Sequence, residues 1–389
     1  MLGLANIFRI IFSIGIVTWL SIATFLNIPS DKLQEESLKS LKGEETIHLL
    51  NPVGSGDVAT HENPEELATD TRSNTPLDLT EKEETSVVKD ERPLAPTTPP
   101  VLLPEGIEFK AVNDIARTSV VNIVCEMRSD NVVKTVTGSG VLVDARGVII
   151  TNAHLAQFLL LKDYPRRDAT RCVVRVGNPA QDKYEVELLY IPITWVQKNA
   201  HTIDEEDPSG TGEDDYALLR ITKAVNGDDP LPQSFPHIPV NTAEEVVSHG
   251  EPVLIASYPA LVANIDAIKN DLYLVSTVTQ TGILYTFGDD LLDLFALNGT
   301  VTAQRGSSGG GVLNQKGELV GVIVTSTNDE LVLNRELRAL TPAYINRSLL
   351  QENGTSLAQL LFGDLALRAQ AFKLITAPIL TKLLVQAFN

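Results

Sequence analysis

The chain has 389 residues and a formal net charge of −19, which is enough for one domain of about 200–250 residues and additional segments. The negative charge argues against nucleic acid as a partner, and against electrostatic docking on anionic lipid. Two cysteines exclude a disulfide-dense scaffold and a cysteine-rich zinc site. There is no HExxH pair, Walker-type phosphate loop or GxGxxG opening a helix, so we expect neither a metal nor an organic cofactor.

The first 29 residues predict a membrane anchor. The uncharged stretch 10–28 reads IIFSIGIVTWLSIATFLNI and is close to the ~20 residues that cross a bilayer. A cleaved signal peptide is the alternative, but its apolar region is shorter, and Ala23 has no small partner at the spacing of a cleavage site. Arg9 precedes the stretch and acidic residues follow it. We therefore expect an uncleaved single-pass anchor, with the bulk of the chain on the periplasmic or extracellular side.

Residues 30–105 predict a disordered linker. Between 30 and 104 there are 16 acidic and seven basic residues, and segments such as LDLTEKEETSVVKDERPLAPTTPP are rich in Pro, Thr and Glu. A stretch with so few apolar residues cannot bury enough surface to offset its chain entropy. We interpret it as a tether.

Residues 106–346 predict an all-β domain. Short runs dominated by Val, Ile, Thr and Tyr recur between turns, in the order SVVNIVCEM, KTVTGSGVLVD, GVIITNAHL, CVVRVG, YEVELLYIP, DYALLRI, EPVLIASYP, LYLVSTVTQTGILYTF, GGGVLN and ELVGVIVTS. About a dozen short strands without intervening helical patterns indicate a sandwich or a closed barrel.

Three side chains in this domain have the types and order of a nucleophile with its base. Ser308 lies in RGSSGGG, where glycines allow a sharp turn and close approach of another molecule. His154 follows the strand GVIITNA, and Asp215 begins the apolar run YALLRI. Taken singly, each is most simply a surface or structural residue. Together they supply the nucleophile, the base and the carboxylate that orients the base. Asp214 is the alternative carboxylate.

The motifs around these residues resemble those of the trypsin-like serine peptidases, and within them the HtrA/Deg branch. The matching segments are GSGVLVDARGVIITNAHL, DYALLRI and RGSSGGGVLNQKGELVGV, and the resemblance covers about residues 110–345. It implies a double six-stranded β-barrel of the chymotrypsin type, with an active site in the cleft between the barrels. About 45 residues follow the barrels, so we expect no PDZ domain after them.

The resemblance implies a role for each matching residue. His154 would be the general base, Asp215 its orienting carboxylate and Ser308 the nucleophile. The backbone N–H groups of Gly306 and Ser308 would form the oxyanion hole. Ser307 stands where digestive proteases carry the aspartate that pairs with a freed N-terminus, so we expect no activation of that kind.

The resemblance also implies a substrate pocket. Its wall would be formed by Thr302 and by the run Val324, Thr325, Ser326 and Thr327. None of these side chains is charged. We therefore expect a small or medium apolar residue, rather than Lys or Arg, at the cleaved position.

The two cysteines, Cys125 and Cys172, lie in predicted strands. A disulfide is permitted if the domain is outside the cytoplasm, but it needs Cα atoms within about 7 Å. We expect two buried free thiols, with the disulfide as the alternative.

Residues 347–389 predict a helical tail. Apolar residues recur there at spacings of three and four, with interruptions at Gly363 and Pro378, which indicates two amphipathic helices. Packing against the barrels is the expected role, and oligomerisation or contact with a membrane surface are the alternatives. Arg368, Lys373 and Lys382 argue against a second membrane span.

The sequence as a whole predicts a membrane-anchored, exported serine endopeptidase. It would act in envelope protein quality control or in regulated cleavage, on protein or peptide substrates, and a homo-oligomer is compatible with it. The alternative is a catalytically silent protease fold that serves as a binding protein or chaperone. A cytosolic enzyme would follow if the anchor prediction failed.

Overall fold

The computed structural model describes residues 48–49, 109–128, 133–203, 205, 210–260, 265–288, 290–297, 304–326 and 337–387. The chain divides into two units, residues 1–48 and 49–389. A two-residue strand, His48–Leu49, lies at their boundary. All other elements of the described residues belong to the second unit. The predicted anchor and nearly all of the predicted linker lie outside the described residues.

The first barrel is a closed antiparallel sheet of six strands in the order β1-β2-β3-β6-β5-β4. Its strands are β1 (Val120–Arg128), β2 (Val133–Asp144), β3 (Val148–Thr151), β4 (Thr170–Val176), β5 (Gln181–Tyr190) and β6 (Ala217–Ala224). Strand side chains alternate between the two faces, and the inward ones form an apolar core that includes Ile123, Ile149 and Leu219.

The second barrel also has six antiparallel strands and closes through pairing of its first two strands. The strands are β7 (Pro252–Ser257), β8 (Val275–Thr286), β9 (Leu294–Leu297), β10 (Gly311–Leu313), β11 (Leu319–Ser326) and β12 (Leu337–Leu340). They are arranged as β8-β9-β12-β11-β10-β7. The core contains Phe295, Val312 and Ile323, all almost fully buried.

Short helices connect or flank the strands. They are α1 (Lys110–Ser119), α2 (Ala153–Ala156), α3 (Ile193–Asn199) and α4 (Ile265–Asn270), with 3₁₀ turns at Gln157–Leu161 and Ala200–Thr202. Helix α1 was not predicted, because only strands were expected in residues 106–346. It forms because Val112 and Ala116, four residues apart, bury one helical face.

The C-terminal region is helical, as predicted, but begins earlier and has more elements. The helices are α5 (Pro342–Asn353), α6 (Leu357–Leu361), α7 (Leu365–Ile375) and α8 (Ala377–Ala387). Gly363 has φ of +85° and separates α6 from α7, which explains the interruption in the pattern. Helix α8 buries Leu380 and Leu384 in the core cluster of the first barrel. The predicted packing role therefore holds for the inner face of this helix.

The expectation of two free thiols is wrong. Cys125 and Cys172 form a disulfide that joins β1 to β4 across a sequence separation of 47. The antiparallel register places the two residues directly opposite each other. That pairing brings the Cα atoms to 4.0 Å, below the limit of about 7 Å beyond which a bridge cannot form.

The architecture is a chymotrypsin-like double β-barrel, so the prediction of an all-β double-barrel domain is confirmed. Among the described residues, no helix has both the length and the hydropathy that a membrane span requires.

Candidate active site

Strand register explains how His154 and Asp215 come together. Strands β3 and β6 are antiparallel neighbours, with Thr151 opposite Ala217. The chain leaves β3 after Thr151 and enters β6 before Ala217, so both loops lie at the same edge of the sheet. Residues 61 positions apart in sequence are therefore neighbours in space.

Asp215 makes two hydrogen bonds with His154. Its Oδ2 lies 2.7 Å from the imidazole Nδ1, and its Oδ1 accepts from the His154 backbone N–H at 2.9 Å. The Asn152 side chain donates to the Asp215 carbonyl at 2.8 Å. Asp215 is buried, whereas the His154 side chain is 30 % exposed. This arrangement holds the imidazole in one orientation and leaves its other edge accessible.

The environment raises the pKa of His154. Burial lowers this pKa, but the negative charge of Asp215 and its hydrogen bond to the ring raise it more. An imidazole with a carboxylate on Nδ1 has Nε2 available to accept a proton from another group.

Ser308 lies in the turn before β10, in the second barrel. Ser139, a buried residue on β2 of the first barrel, connects this turn to the first barrel. The Ser139 backbone N–H donates to the Ser308 carbonyl at 2.7 Å, and its hydroxyl donates to the Gly306 carbonyl at 2.7 Å. The same hydroxyl accepts from the Tyr258 N–H at 2.8 Å. Ser139 is completely buried and was not identified from the sequence. Its position between Gly138 and Gly140, in a segment that matches the peptidase family, was the signal that could have identified it.

Gly309 packs too closely against the first barrel for any side chain. A Cβ built there would lie 2.0 Å from the Ser139 carbonyl oxygen and 2.5 Å from Thr151 Oγ1. Its φ of +81° also falls in the left-handed region that glycine favours. The glycine after Ser308 therefore allows the serine turn to approach the strand that leads to His154.

Two backbone N–H groups of this turn have no acceptor among the described residues. Neither the Gly306 nor the Ser308 N–H donates a hydrogen bond to another residue in the described ranges. Buried N–H groups are nearly always paired, and Gly306 is buried. Two free donors next to a half-buried serine are what an anionic oxygen would need.

The two adjacent serines differ in their surroundings. Ser307 is 1 % exposed, and its hydroxyl lies 3.3 Å from that of Ser257. Ser308 is half-buried, and its hydroxyl forms no hydrogen bond with His154 or any other described residue. Serine–histidine hydrogen bonds in proteins without substrate are often long and shorten only when substrate binds.

Asp214, the alternative carboxylate, has other partners. Its Oδ1 accepts from the hydroxyls of Tyr344 at 2.9 Å and Ser348 at 2.6 Å, both on α5. The Tyr216 hydroxyl donates to Ser348 at 2.9 Å. Asp214 thus holds the loop to the C-terminal helix, while Asp215 faces the imidazole. Burial and the neighbouring Asp214 charge raise the pKa of Tyr344, which keeps it a proton donor.

The predicted pocket is described only in part. Val324 is 4 % exposed on β11. Thr325 and Ser326 continue that strand, whereas Thr302 and Thr327 lie outside the described residues. No three His, Cys, Asp or Glu side chains in the described part of the chain form a metal-binding group.

Residues 138–322 match the family model of the trypsin-like peptidase domain. The active form of the Rv3671c protease from M. tuberculosis is 17 % identical, with 62 % of this chain and 84 % of that chain covered and a TM-score of 0.37. The inactive form of the same protease is 18 % identical, with 62 % of this chain and 93 % of that chain covered and a TM-score of 0.36. No curated protein matches the sequence. The matched segment is slightly less than half of the chain and includes His154, Asp215 and Ser308.

Proposed function

We propose that this protein is a serine endopeptidase in which Ser308 is the nucleophile, His154 the general base and Asp215 the carboxylate that orients the base. The observation that carries the proposal is the 2.7 Å contact between His154 Nδ1 and Asp215 Oδ2. This contact lies on the first barrel, and Ser139 of the same barrel donates hydrogen bonds to the carbonyls of Ser308 and Gly306 in the serine turn.

In the proposed reaction, His154 Nε2 takes the proton of the Ser308 hydroxyl as the oxygen attacks the peptide carbonyl. Asp215 stabilises the imidazolium that forms. The N–H groups of Gly306 and Ser308 stabilise the negative charge on the carbonyl oxygen, and each such donor contributes about 10²–10³ in turnover. The imidazolium then protonates the leaving amine, and an acyl-enzyme remains on Ser308. Water that gives its proton to His154 releases the second product.

The finer assignments belong to the same proposal. The uncharged wall predicted at Thr302 and 324–327 favours a small or medium apolar residue at the cleaved position. The apolar stretch 10–28 supports a membrane-anchored enzyme of the HtrA type that acts outside the cytoplasm on unfolded or specific envelope proteins.

A fluorophosphonate probe tests the central claim, because it reacts with an activated serine. We expect wild type to be labelled on Ser308, and labelling to be lost in Ser308→Ala. Ser234→Ala is the matched control, because this serine is exposed in a loop distant in sequence from the site. Mass spectrometry of the labelled peptide separates Ser308 from Ser307.

Two outcomes would overturn the proposal. Labelling of Ser307 instead of Ser308 would show that Ser308 is not the nucleophile. Absence of labelling in folded wild type would favour the alternative, a silent protease fold used for binding. A comparison of new protein N-termini in cells with wild type or Ser308→Ala would then test the envelope role and the cleavage preference.

A further inference from the structure

The C-terminal helices present the most exposed apolar side chains of the described chain. Five large apolar residues are 61–80 % exposed, and all lie within an 18-residue segment: Phe362, Leu367, Leu374, Ile375 and Ile379. The next most exposed, Val133, reaches 49 %. A concentration of this kind marks a surface that binds something.

Four of these residues form one surface, which we call the α7–α8 tip: Leu367, Leu374, Ile375 and Ile379. Leu367 and Leu374 are seven residues apart on α7 and share a helical face. Ile375 ends α7, and Ile379 lies in the first turn of α8. The opposite faces of both helices are buried, α8 through Leu380 and Leu384 on the first barrel. The inner faces of α7 and α8 therefore pack on the protein, and the α7–α8 tip is left uncovered by the described residues.

Charge separates helices α7 and α8 from the rest of the protein. Residues 365–389 contain three basic and no acidic residues, although the whole chain has a net charge of −19. Lys373 and Lys382 are exposed and form no ion pair within the described residues. Arg368 donates to the backbone oxygens of Phe362 and Gln359. Lysines beside an exposed apolar face are typical of helices that lie in a membrane interface.

We propose that the α7–α8 tip inserts into the boundary between headgroups and acyl chains of a lipid bilayer, with Lys373 and Lys382 at anionic headgroups. Each helix has 11 residues, about half of the ~20 that cross a membrane, so the hairpin lies in the interface and does not span it. A second copy is a poorer occupant, because it would bring two positive, unpaired segments together. The proposal does not depend on the catalytic assignment.

A fluorophore at the tip tests this in the full chain. Both native cysteines are in the disulfide, so Leu374→Cys provides a single free thiol for an environment-sensitive NBD label. The protein is reconstituted with phosphatidylcholine–phosphatidylglycerol vesicles that carry a nitroxide lipid. We expect a blue-shifted emission and several-fold stronger quenching than at the control, Ile283→Cys. Ile283 is an exposed apolar residue on β8 in the same chain, so any N-terminal anchor is present with both labels.

Equal quenching at the two positions would overturn the proposal. So would a blue shift that appears without lipid and grows with protein concentration, because that result identifies a second copy as the occupant. Replacing both lysines, Lys373→Gln with Lys382→Gln, should reduce quenching in the anionic vesicles to the level found in pure phosphatidylcholine. Unchanged quenching in that variant would overturn the role of the headgroup charge.

Discussion

The Ser348 hydroxyl donates a 2.6 Å hydrogen bond to Asp214 and accepts one of 2.9 Å from Tyr216. One side chain of the C-terminal helix α5 therefore holds the residues on both sides of Asp215. Asp214 has a φ of +55°, an unfavourable value for a residue with a side chain, so the loop needs such support.

The variant Ser348→Ala should lower kcat with little change in KM, because in the proposed mechanism Asp215 contacts the base and not the substrate. We expect a loss of about 10–100-fold from misplacement of the carboxylate. The free energy of unfolding should fall by about 1–3 kcal/mol, because a hydrogen bond to a charged group is lost. Steady-state kinetics and urea unfolding measure the two effects.

Ser348→Thr should recover much of the activity, since it keeps the hydroxyl. Gln351→Ala, exposed on the same helix, is the control and should behave as wild type. An unchanged kcat in Ser348→Ala would remove α5 from the positioning of Asp215.

Ser139→Ala tests the connection between the barrels. It removes the donor to the Gly306 carbonyl and the acceptor of the Tyr258 N–H, and leaves both buried groups unpaired. We expect a loss of about 1–3 kcal/mol in unfolding free energy. The rate of fluorophosphonate labelling should also fall, because the turn that carries Ser308 loses its support. Thr135→Ala on the same strand removes a hydroxyl that has no hydrogen-bond partner among the described residues, and should label at the wild-type rate.

Gly309→Ala should be among the most damaging substitutions in the domain. The new Cβ would overlap the Ser139 carbonyl, and alanine would have to adopt φ of +81°. The backbone conformation alone costs about 1–3 kcal/mol, and the steric overlap adds to it. Gly227→Ala provides the comparison, because a Cβ there would have no described atom within 4 Å apart from its chain neighbours, and it should shift the thermal midpoint little. Equal midpoints for the two variants would contradict the packing of the serine turn.

The raised pKa of His154 predicts the pH dependence of peptide cleavage. In the proposed mechanism His154 must be neutral to accept a proton, so kcat/KM should rise with pH, with a midpoint above the ordinary histidine value of about 6.5. Asp215→Asn removes the charge that raises this pKa and leaves the burial that lowers it. The midpoint should therefore move to lower pH, while kcat falls about 10⁴-fold. A midpoint that stays in place in the variant would show that another group controls the profile.

The disulfide should make a large contribution to stability. A cross-link between residues 47 apart restricts the unfolded chain by about 4 kcal/mol in the chain-entropy model. The double variant Cys125→Ala with Cys172→Ala should unfold at correspondingly lower denaturant concentration. Dithiothreitol should lower the midpoint of wild type towards that of the variant, and have no effect on the variant itself. Insensitivity of wild type to dithiothreitol under unfolding conditions would argue against the bond.

Much of the fold was predictable from local pattern. The runs of Val, Ile and Thr between turns predicted the strands, because β-branched residues favour the extended, half-buried backbone. The resemblance around His154 and Ser308 predicted the double barrel. Helix α1 was missed, although the spacing of Val112 and Ala116 was a readable signal.

Contacts set by strand register or by packing were not predictable in this way. Cys125 and Cys172 pair because they lie opposite each other across two strands, and a shift by one residue would turn one of them to the other face. The contact between Ser348 and Asp214 joins elements 134 residues apart, and a buried serine in a helix has no local signature for such a partner. Only the folded arrangement identifies these residues.

The division of the candidate site between two barrels has a consequence for inhibition. The imidazole and its carboxylate are carried by one barrel and the serine by the other, with Ser139 at their junction. A small molecule that displaced the Ser139 contacts at this seam would shift the Ser308 turn relative to the His154–Asp215 pair. Such a compound would not need to resemble a peptide.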